Sequence, residues 1–565
     1  MATRSKKFCL PDDLFVDRSS PSADSLPCQS SADVPNSSQN YSNSAPSNSR
    51  PKSTRQKFDL PSLSVDQLVS EQNQQIIGPD FELHQNVSVT VRGGKSDNGN
   101  QYQISSFQEA NLSRQILQNL AQIRFHRPTV VQSRVIPLIL QANEDLLCLA
   151  STGTGKTGAF LIPLLNILHN LSDGFLKSAT AKKRSPKAII IAHTKELVLQ
   201  IDKTARILAD GTGLGIVLMM GELSYTSINS RIYRDGCDLL VGTPGRLKEF
   251  IRKNWIDLDN LQFLVVDEMD KFFSDIDFVH MFREMTDKRN ECKNAFPCRT
   301  FLFSATLTSR EDILPYLRPD FFYVEAGQVG QSVAHVQQHI ISATVFTRKQ
   351  KLEFILKKEE INGTCKKTVI FVNECRRCDR LAIMLCYYGY KAISINGHHS
   401  LEQRTNAMAH FNAGTYQVLV GTDVIARGMN IPNLSRVILY EMPPLHRYEQ
   451  FVHRVGRVGR SGNVGEAFVF FNPEDPNDIY MAEFLRDQLV QVKQNVPKWL
   501  HELVETQHKW QKETDEVLTT EKETIGSKRT TQRKGTTTGR RTDTELDEDQ
   551  DEMRDDASFS NSDWN

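Results

Sequence analysis

Through the middle of the chain, short runs of apolar and β-branched residues alternate with longer amphipathic stretches, and the alternation stops at both ends. The runs fall at 146–149, 188–192, 216–219, 239–241, 263–266 and 300–303, then at 368–372, 392–395, 418–420, 437–440 and 467–471. Uninterrupted runs of this length suit strands buried on both faces, as in parallel sheets covered by helices. The pattern predicts α/β architecture: two tandem domains, 101–326 and 338–475, each a parallel sheet flanked by helices. The Gly-, Gln- and Ser-bearing stretch at 327–337 reads as the linker between them. Apolar spacing at Phe484, Leu485, Leu489, Val490 and Val492, with Trp499 beyond, predicts a helical extension over 476–512.

The ends read differently. Residues 1–100 are rich in Ser, Asn, Gln, Pro and Asp, too polar to offset ordering entropy, so a disordered arm is expected. Its short apolar pieces at 60–68 and 81–91 read as linker, with docking on the core or on a partner as the alternative. Residues 513–565 are expected to be a disordered tail, basic at Lys528, Arg529, Arg533, Lys534, Arg540 and Arg541, then acidic over 543–556. The basic part can raise affinity for a polyanion such as nucleic acid and the acidic part can compete for the same surface. Both tails are candidate sites for protein partners.

Composition narrows the class. The 565 residues hold 68 Lys plus Arg and 68 Asp plus Glu, so no overall basic excess marks a nonspecific nucleic-acid binder. Apolar runs stay short of the roughly 18 residues that span a bilayer, and the N-terminal residues lack the apolar core of a secretory signal. An intracellular protein is expected, in cytoplasm or nucleus, with no membrane partner. Ten cysteines scattered over the chain fit reduced thiols. Cys375 and Cys378, with Cys365 and Cys386 around them, invite a zinc reading, but the pair falls where a helix should follow a buried strand, and small buried hydrophobes explain them better.

The chemistry gathers after the strands, where ligands of open parallel sheets bind. The run at 146–149 leads into Ala150-Ser-Thr-Gly-Thr-Gly-Lys-Thr157, a phosphate-binding loop between a strand and a helix. Backbone N–H groups of Ser151, Thr152, Gly153, Thr154 and Gly155 suit phosphates, Lys156 supplies a point charge, and the Thr157 hydroxyl suits Mg²⁺. After 263–266 come Asp267-Glu-Met-Asp270. Consecutive acids at the end of a buried strand are costly without a cation, and nucleotide-bound Mg²⁺ is the obvious one. Asp267 then holds the metal through water, and Glu268 orients and deprotonates the attacking water.

In this order, from Phe107 to Phe471, these residues resemble the DEAD-box ATP-dependent RNA helicases of superfamily 2. The resemblance implies RecA-like domains and an ATPase acting on RNA, with local duplex unwinding or remodelling of RNA–protein complexes on domain closure. The segment 125–132 resembles the Q motif, implying that Phe125 stacks on adenine and Gln132 reads its edge. Ser304 and Thr306 match the motif that, with Asp270, couples hydrolysis to closure. Residues 422–430 and 453–460 match motifs facing the nucleotide across the cleft. There Asp423 and His453 are implied to couple the domains, Asn430 to meet the ribose, and Arg457 and Arg460 to act as arginine fingers worth ~10³ or more in rate. The implied RNA path uses Thr194, Lys195, Gly221, Thr243, Pro244, Gly245 and Arg246 on the first domain, and Asn373, Arg404 and Thr422 on the second. Backbone contacts of this kind read shape and 2′-hydroxyls, so the RNA is largely sequence-independent. A monomer using ATP and Mg²⁺ is expected.

Several positions depart from the family pattern. Met269 stands where Ala is usual, and its bulk is expected to press on neighbouring motifs. His193 and Lys195 replace Pro and Arg, and Lys lacks the bidentate phosphate fork, which predicts weaker RNA binding. Asn430 replaces an Asp, Val458 a Thr, and the glutamine of 400–404 is displaced. None removes Lys156, Asp267, Glu268, Arg457 or Arg460, so ATPase activity is expected. The rival reading is an ATP-gated RNA clamp or scaffold with little unwinding, and a DNA translocase of the same superfamily is disfavoured by the Q motif.

Overall fold

The computed structural model describes residues 64–73, 88–95, 99–173, 185–272, 275–291, 298–306, 313–327, 336–360, 366–426, 431–459 and 465–509. Up to Asp267 the elements are α1 (Val65–Asn73), β1 (Val89–Gly93), α2 (Arg114–Gln122), α3 (Val130–Gln141), β2 (Leu146–Ala150), α4 (Lys156–Asp173), β3 (Ala188–Ala192), α5 (Lys195–Leu208), β4 (Ile216–Met219), α6 (Tyr225–Asp235), β5 (Leu239–Gly242), α7 (Pro244–Arg252) and β6 (Phe263–Asp267). Next come α8 (Ile276–Glu291), β7 (Arg299–Ser304), β8 (Phe322–Ala326), β9 (Val336–Ser342), α9 (Arg348–Glu360), β10 (Thr368–Phe371), α10 (Cys375–Tyr387), β11 (Ala392–Ile395) and α11 (Leu401–Asn412). The last are β12 (Val418–Gly421), β13 (Arg436–Leu439), α12 (Glu449–Val455), β14 (Gly465–Phe471), α13 (Pro476–Tyr480) and α14 (Ala482–Gln491).

Two sheets result, ordered β1-β8-β2-β7-β6-β3-β5-β4 and β11-β12-β10-β13-β14-β9. All pairings are parallel except β1 on β8. Every residue of β2 to β6 is buried, as the unbroken apolar runs predict for strands with helices on both faces. Each expected strand has an observed counterpart.

Three strands lie outside the apolar-run reading. β8 and β9 alternate buried and part-exposed residues, and β1 buries only Val91 along its length. β1 and β9 are edge strands, where one face stays wet and no continuous apolar run is needed. The expectation of an unstructured arm over 1–100 is therefore corrected at two places: Leu68 of α1 and Val91 of β1 belong to the first domain's core. The linker expected at 327–337 is likewise cut short, because β9 begins at Val336. The basic and acidic stretches of 513–565 lie outside the described residues.

The helical extension resolves into α13 and α14, with Asp475 capping α13 through Asn477 N. Residues 498–509, in a compact unit of their own, are helical. Among the described residues no helix is long and apolar enough to cross a membrane. Cys378, on α10 as the sequence predicts, is buried and donates to the carbonyl oxygens of Val420 and Ile395, and burial pushes its thiol pKa up to about 12.

Candidate functional site

The phosphate loop is set by its neighbours as much as by its own glycines. Gly153 and Gly155 have φ of 86° and 87°, a region that favours glycine. A Cβ on Gly155 would lie 2.7 Å from Gln132 Nε2 and 2.9 Å from Thr129 Oγ1, so that glycine is needed for space as well. Thr129 caps α3, with its backbone N–H donating to Gln132 Oε1 at 3.0 Å. From there Gln132 Nε2 donates to the Gly155 carbonyl at 3.1 Å, and Thr129 Oγ1 to that of Thr154 at 2.7 Å. The segment expected to read adenine is thus bonded directly to the loop expected to hold phosphate. Half-buried Phe125 packs at the first turn of α4, its ring 3.6 Å from where a Cβ on Gly158 would stand.

Lys156, the first residue of α4, lies over the loop, its ammonium donating to the carbonyls of Ala150 and Ser151. Burial holds its pKa below the usual lysine value, with Asp267 foremost among the acids that oppose the shift. Asp267 ends β6, which is separated from β2 only by β7, so the sheet itself brings acid and loop together. Burial, then the neighbouring Glu268, raise the Asp267 pKa to about 7 against the pull of Lys156. Glu268 has φ 57°, rare outside glycine, and donates its N–H to Asp267 Oδ1 at 3.0 Å. Its Oε2 is buried without a hydrogen-bond partner. A buried carboxylate oxygen in that condition is costly, and a nucleotide-bound cation or its water would satisfy it.

Asp270 is the centre of a second cluster. It accepts from Ser304 Oγ at 2.9 Å and Thr306 Oγ1 at 3.1 Å, and it meets His453 Nε2 of the second domain at 2.9 Å. Two more contacts join the domains: Thr152 Oγ1 donates to the Gly456 carbonyl at 3.0 Å, and Arg404 pairs with Glu196 at 3.0 Å. Leu401, at the start of α11, is buried within the first domain's core cluster. Arg457 follows Gly456, is 1% exposed, and donates through Nε to the His453 carbonyl at 3.1 Å. The bond from Thr152 therefore places the expected arginine finger one residue from the phosphate loop. Asn430 and Arg460 lie outside the described residues.

Arg454 carries a role that the sequence reading did not give it. It is fully buried, donating to Asp423 Oδ1 at 2.9 Å, Asn373 Oδ1 at 2.8 Å and the Glu441 carbonyl at 3.0 Å. Asn373 in turn receives its orientation from Glu441, which accepts its N–H at 2.8 Å, and from Met442, whose carbonyl accepts Nδ2 at 2.7 Å. An arginine inside the quoted 453–460 run, far along the chain from Asp423 and Asn373, is a weak signal in sequence, because nothing there marks which way the guanidinium turns.

The expected RNA-path residues follow adjacent strands. Thr194 caps α5 after β3, Thr243 to Arg246 open α7 after β5, and Gly221 follows β4, these three strands being neighbours. Gly245 has open space where a side chain would stand. On the second domain Asn373 and Thr422 follow the paired strands β10 and β12. Arg404, named on the implied RNA path, is turned into the buried pair with Glu196.

The departures also find places. Met269 is wholly buried in the core cluster, and Val458 is buried on the other domain, so their bulk is accommodated. The His193 ring packs edge-on against Phe272 at 5.5 Å. The displaced glutamine, Gln403, completes a capping box with Ser400 at the start of α11.

Comparison with known proteins agrees with this geometry. The family described as DEAD/DEAH box helicase matches residues 129–313, and the helicase conserved C-terminal domain matches residues 350–462. A protein of Pelophylax lessonae named probable ATP-dependent RNA helicase DDX4 is 34% identical over 438 residues, and ATP-dependent RNA helicase DDX4 of Mus musculus is 34% identical over 437. The alignments take in 76% and 75% of this chain, but it spans only 58% of each relative's length. The fold is that of S. cerevisiae Dbp5, solved bound to RNA and ADP BeF3, with a TM-score of 0.57 at 23% identity over 68% of this chain and 93% of that one. With two RecA-like sheets, a phosphate loop and strand-end acids in place, two matching helicase family models, and relatives 34% identical over the aligned residues, the chain belongs to the DEAD-box family of superfamily 2 helicases.

Proposed function

We propose that the protein is an ATP-dependent RNA helicase, hydrolysing ATP when RNA holds its two domains together and using that closure to separate short duplexes or remodel RNA–protein complexes. The observation that supports the reading is the bond from Thr152 to Gly456, which brings the residue before Arg457 against the phosphate loop of the other domain. Hydrolysis then depends on closure, since the triphosphate is gripped by one domain and its developing charge is met by a guanidinium from the next.

The residues fit a magnesium nucleotide. Thr157 Oγ1, and Asp267 through water, would hold Mg²⁺, which neutralises phosphate charge when bound. Glu268 Oε2, buried and without a hydrogen-bond partner, is the acceptor for the proton of the attacking water. Gln132 and Phe125 give the adenine preference, because a site with fixed hydrogen-bond groups rejects a base that leaves them unmade. Thr194, Gly221 and the α7 N-terminus offer the hydroxyls and amides that sugar–phosphate contacts need.

The test is strand separation. A short RNA duplex with a single-stranded overhang should come apart with ATP, not with ADP, and not with Glu268→Gln. RNA-stimulated turnover without strand separation would select the clamp instead.

A further inference from the structure

The cations on the expected RNA path of the first domain are not equivalent. Arg246 is locked below the surface: its guanidinium stacks 4.3 Å over the Tyr225 ring, pairs with Glu249 at 3.2 Å and donates to the Gly221 carbonyl. That last bond pins the turn after β4. The next residue, Glu222, reaches from the pinned turn to the N-terminal residue of α5 and forms an ion pair with the Lys195 ammonium. Side-chain exposures of 37% for Lys195 and 23% for Glu222 make this a half-buried pair rather than a loose surface one. The second carboxylate oxygen, Glu222 Oε2, is buried and has no hydrogen-bond partner, so Lys195 is the charge on which this acid depends.

We propose that Glu222 masks Lys195, so that an RNA phosphate must displace a carboxylate before Lys195 contributes to binding, and Glu222 thereby sets the RNA affinity of this domain. The inference rests on the RNA-binding reading above. Lysine is a compact point charge with rotatable donors, so carboxylate and phosphate compete for the same ammonium rather than sharing it as they can share an arginine fork. Moving Lys195 onto phosphate also strands a carboxylate whose second oxygen is already unsatisfied, which opposes the exchange.

The test is a double-mutant cycle on the full chain: wild type, Glu222→Gln, Lys195→Ala and the double variant. Binding of a fluorescent uridine homopolymer is titrated at several salt concentrations with a non-hydrolysable ATP analogue present. Glu222→Gln should tighten binding about three- to fivefold and steepen the log–log salt slope by ~0.7, the value for one added phosphate contact on a single strand. In the Lys195→Ala background, which lacks the masked charge, Glu222→Gln should lose most of that gain. Equal tightening with and without Lys195 would overturn the proposal, as would unchanged or weaker binding by Glu222→Gln and by a second variant, Glu222→Ala. If wild type fails to bind the homopolymer at all, it is the RNA-binding reading that falls.

Discussion

His453 of the second domain and Asp270 of the first meet at 2.9 Å, and both side chains are almost wholly buried. With Asp270 ionised its oxygens only accept and Nε2 donates, so Asp270 joins Ser304 and Thr306 of its own domain to His453 of the other. A change at the end of β7 is thus relayed through Asp270 to α12, the helix just before Arg457.

His453→Ala should leave nucleotide binding intact and lower RNA-stimulated turnover. One charge-assisted buried hydrogen bond is worth about 1.5–3 kcal/mol, so the loss should be ~10- to 100-fold. Turnover across an RNA titration checks it, with basal turnover as the control.

Gly456→Ala should act on closure first and on the second domain's own packing second. An added Cβ would stand 2.4 Å from Thr152 Oγ1 and 2.9 Å from the Val452 carbonyl, so the domains cannot approach as they do here. Thermal unfolding of the full chain should fall by no more than a small shift, while small-angle scattering with RNA and a non-hydrolysable ATP analogue should report an open molecule.

Arg454→Ala should destabilise the second domain by about 3 kcal/mol or more, because it leaves Asp423, Asn373 and the Glu441 carbonyl without their shared donor. Thermal unfolding of that variant is the measurement, and Asp423→Asn should cost less because the half-exposed partner can turn to water.

The Asp267 carboxyl gives a pH dependence. With its folded pKa raised to about 7 from an ordinary 3.8, the metal-free folded state holds the proton more tightly than the unfolded chain. This group's contribution to stability is therefore greatest below about pH 4 and declines as pH rises through 7. Cation binding needs the ionised form, so stabilisation by magnesium nucleotide should grow over the same window. Melting curves of wild type and Asp267→Asn between pH 5 and 8, with and without magnesium nucleotide, should diverge in these directions.

Much of the fold was legible because buried parallel strands must be apolar throughout, as Ala188–Ala192 is. β9 escaped because an edge strand needs only every second residue inside, and its Val336 and Gln337 read as part of the polar linker. β1 escaped because Val91 alone is buried in a stretch of polar residues, and only pairing with β8 makes it a strand. The nucleotide site was legible for a similar reason: glycine at a positive φ and acids at a strand end are local requirements. The partners of Arg404 and Arg454 were not, because a long guanidinium reaches as readily to Glu196 or Asn373 as to solvent, and the choice is made by tertiary structure.

The most direct measurement is steady-state ATP turnover with and without single-stranded RNA, comparing wild type with Lys156→Ala and Arg457→Ala. Wild type should be stimulated by RNA, Lys156→Ala should lose nucleotide binding and turnover, and Arg457→Ala should bind nucleotide normally yet lose ~10³-fold or more in stimulated rate. Turnover indifferent to RNA, or an Arg457→Ala enzyme as fast as wild type, would contradict the account.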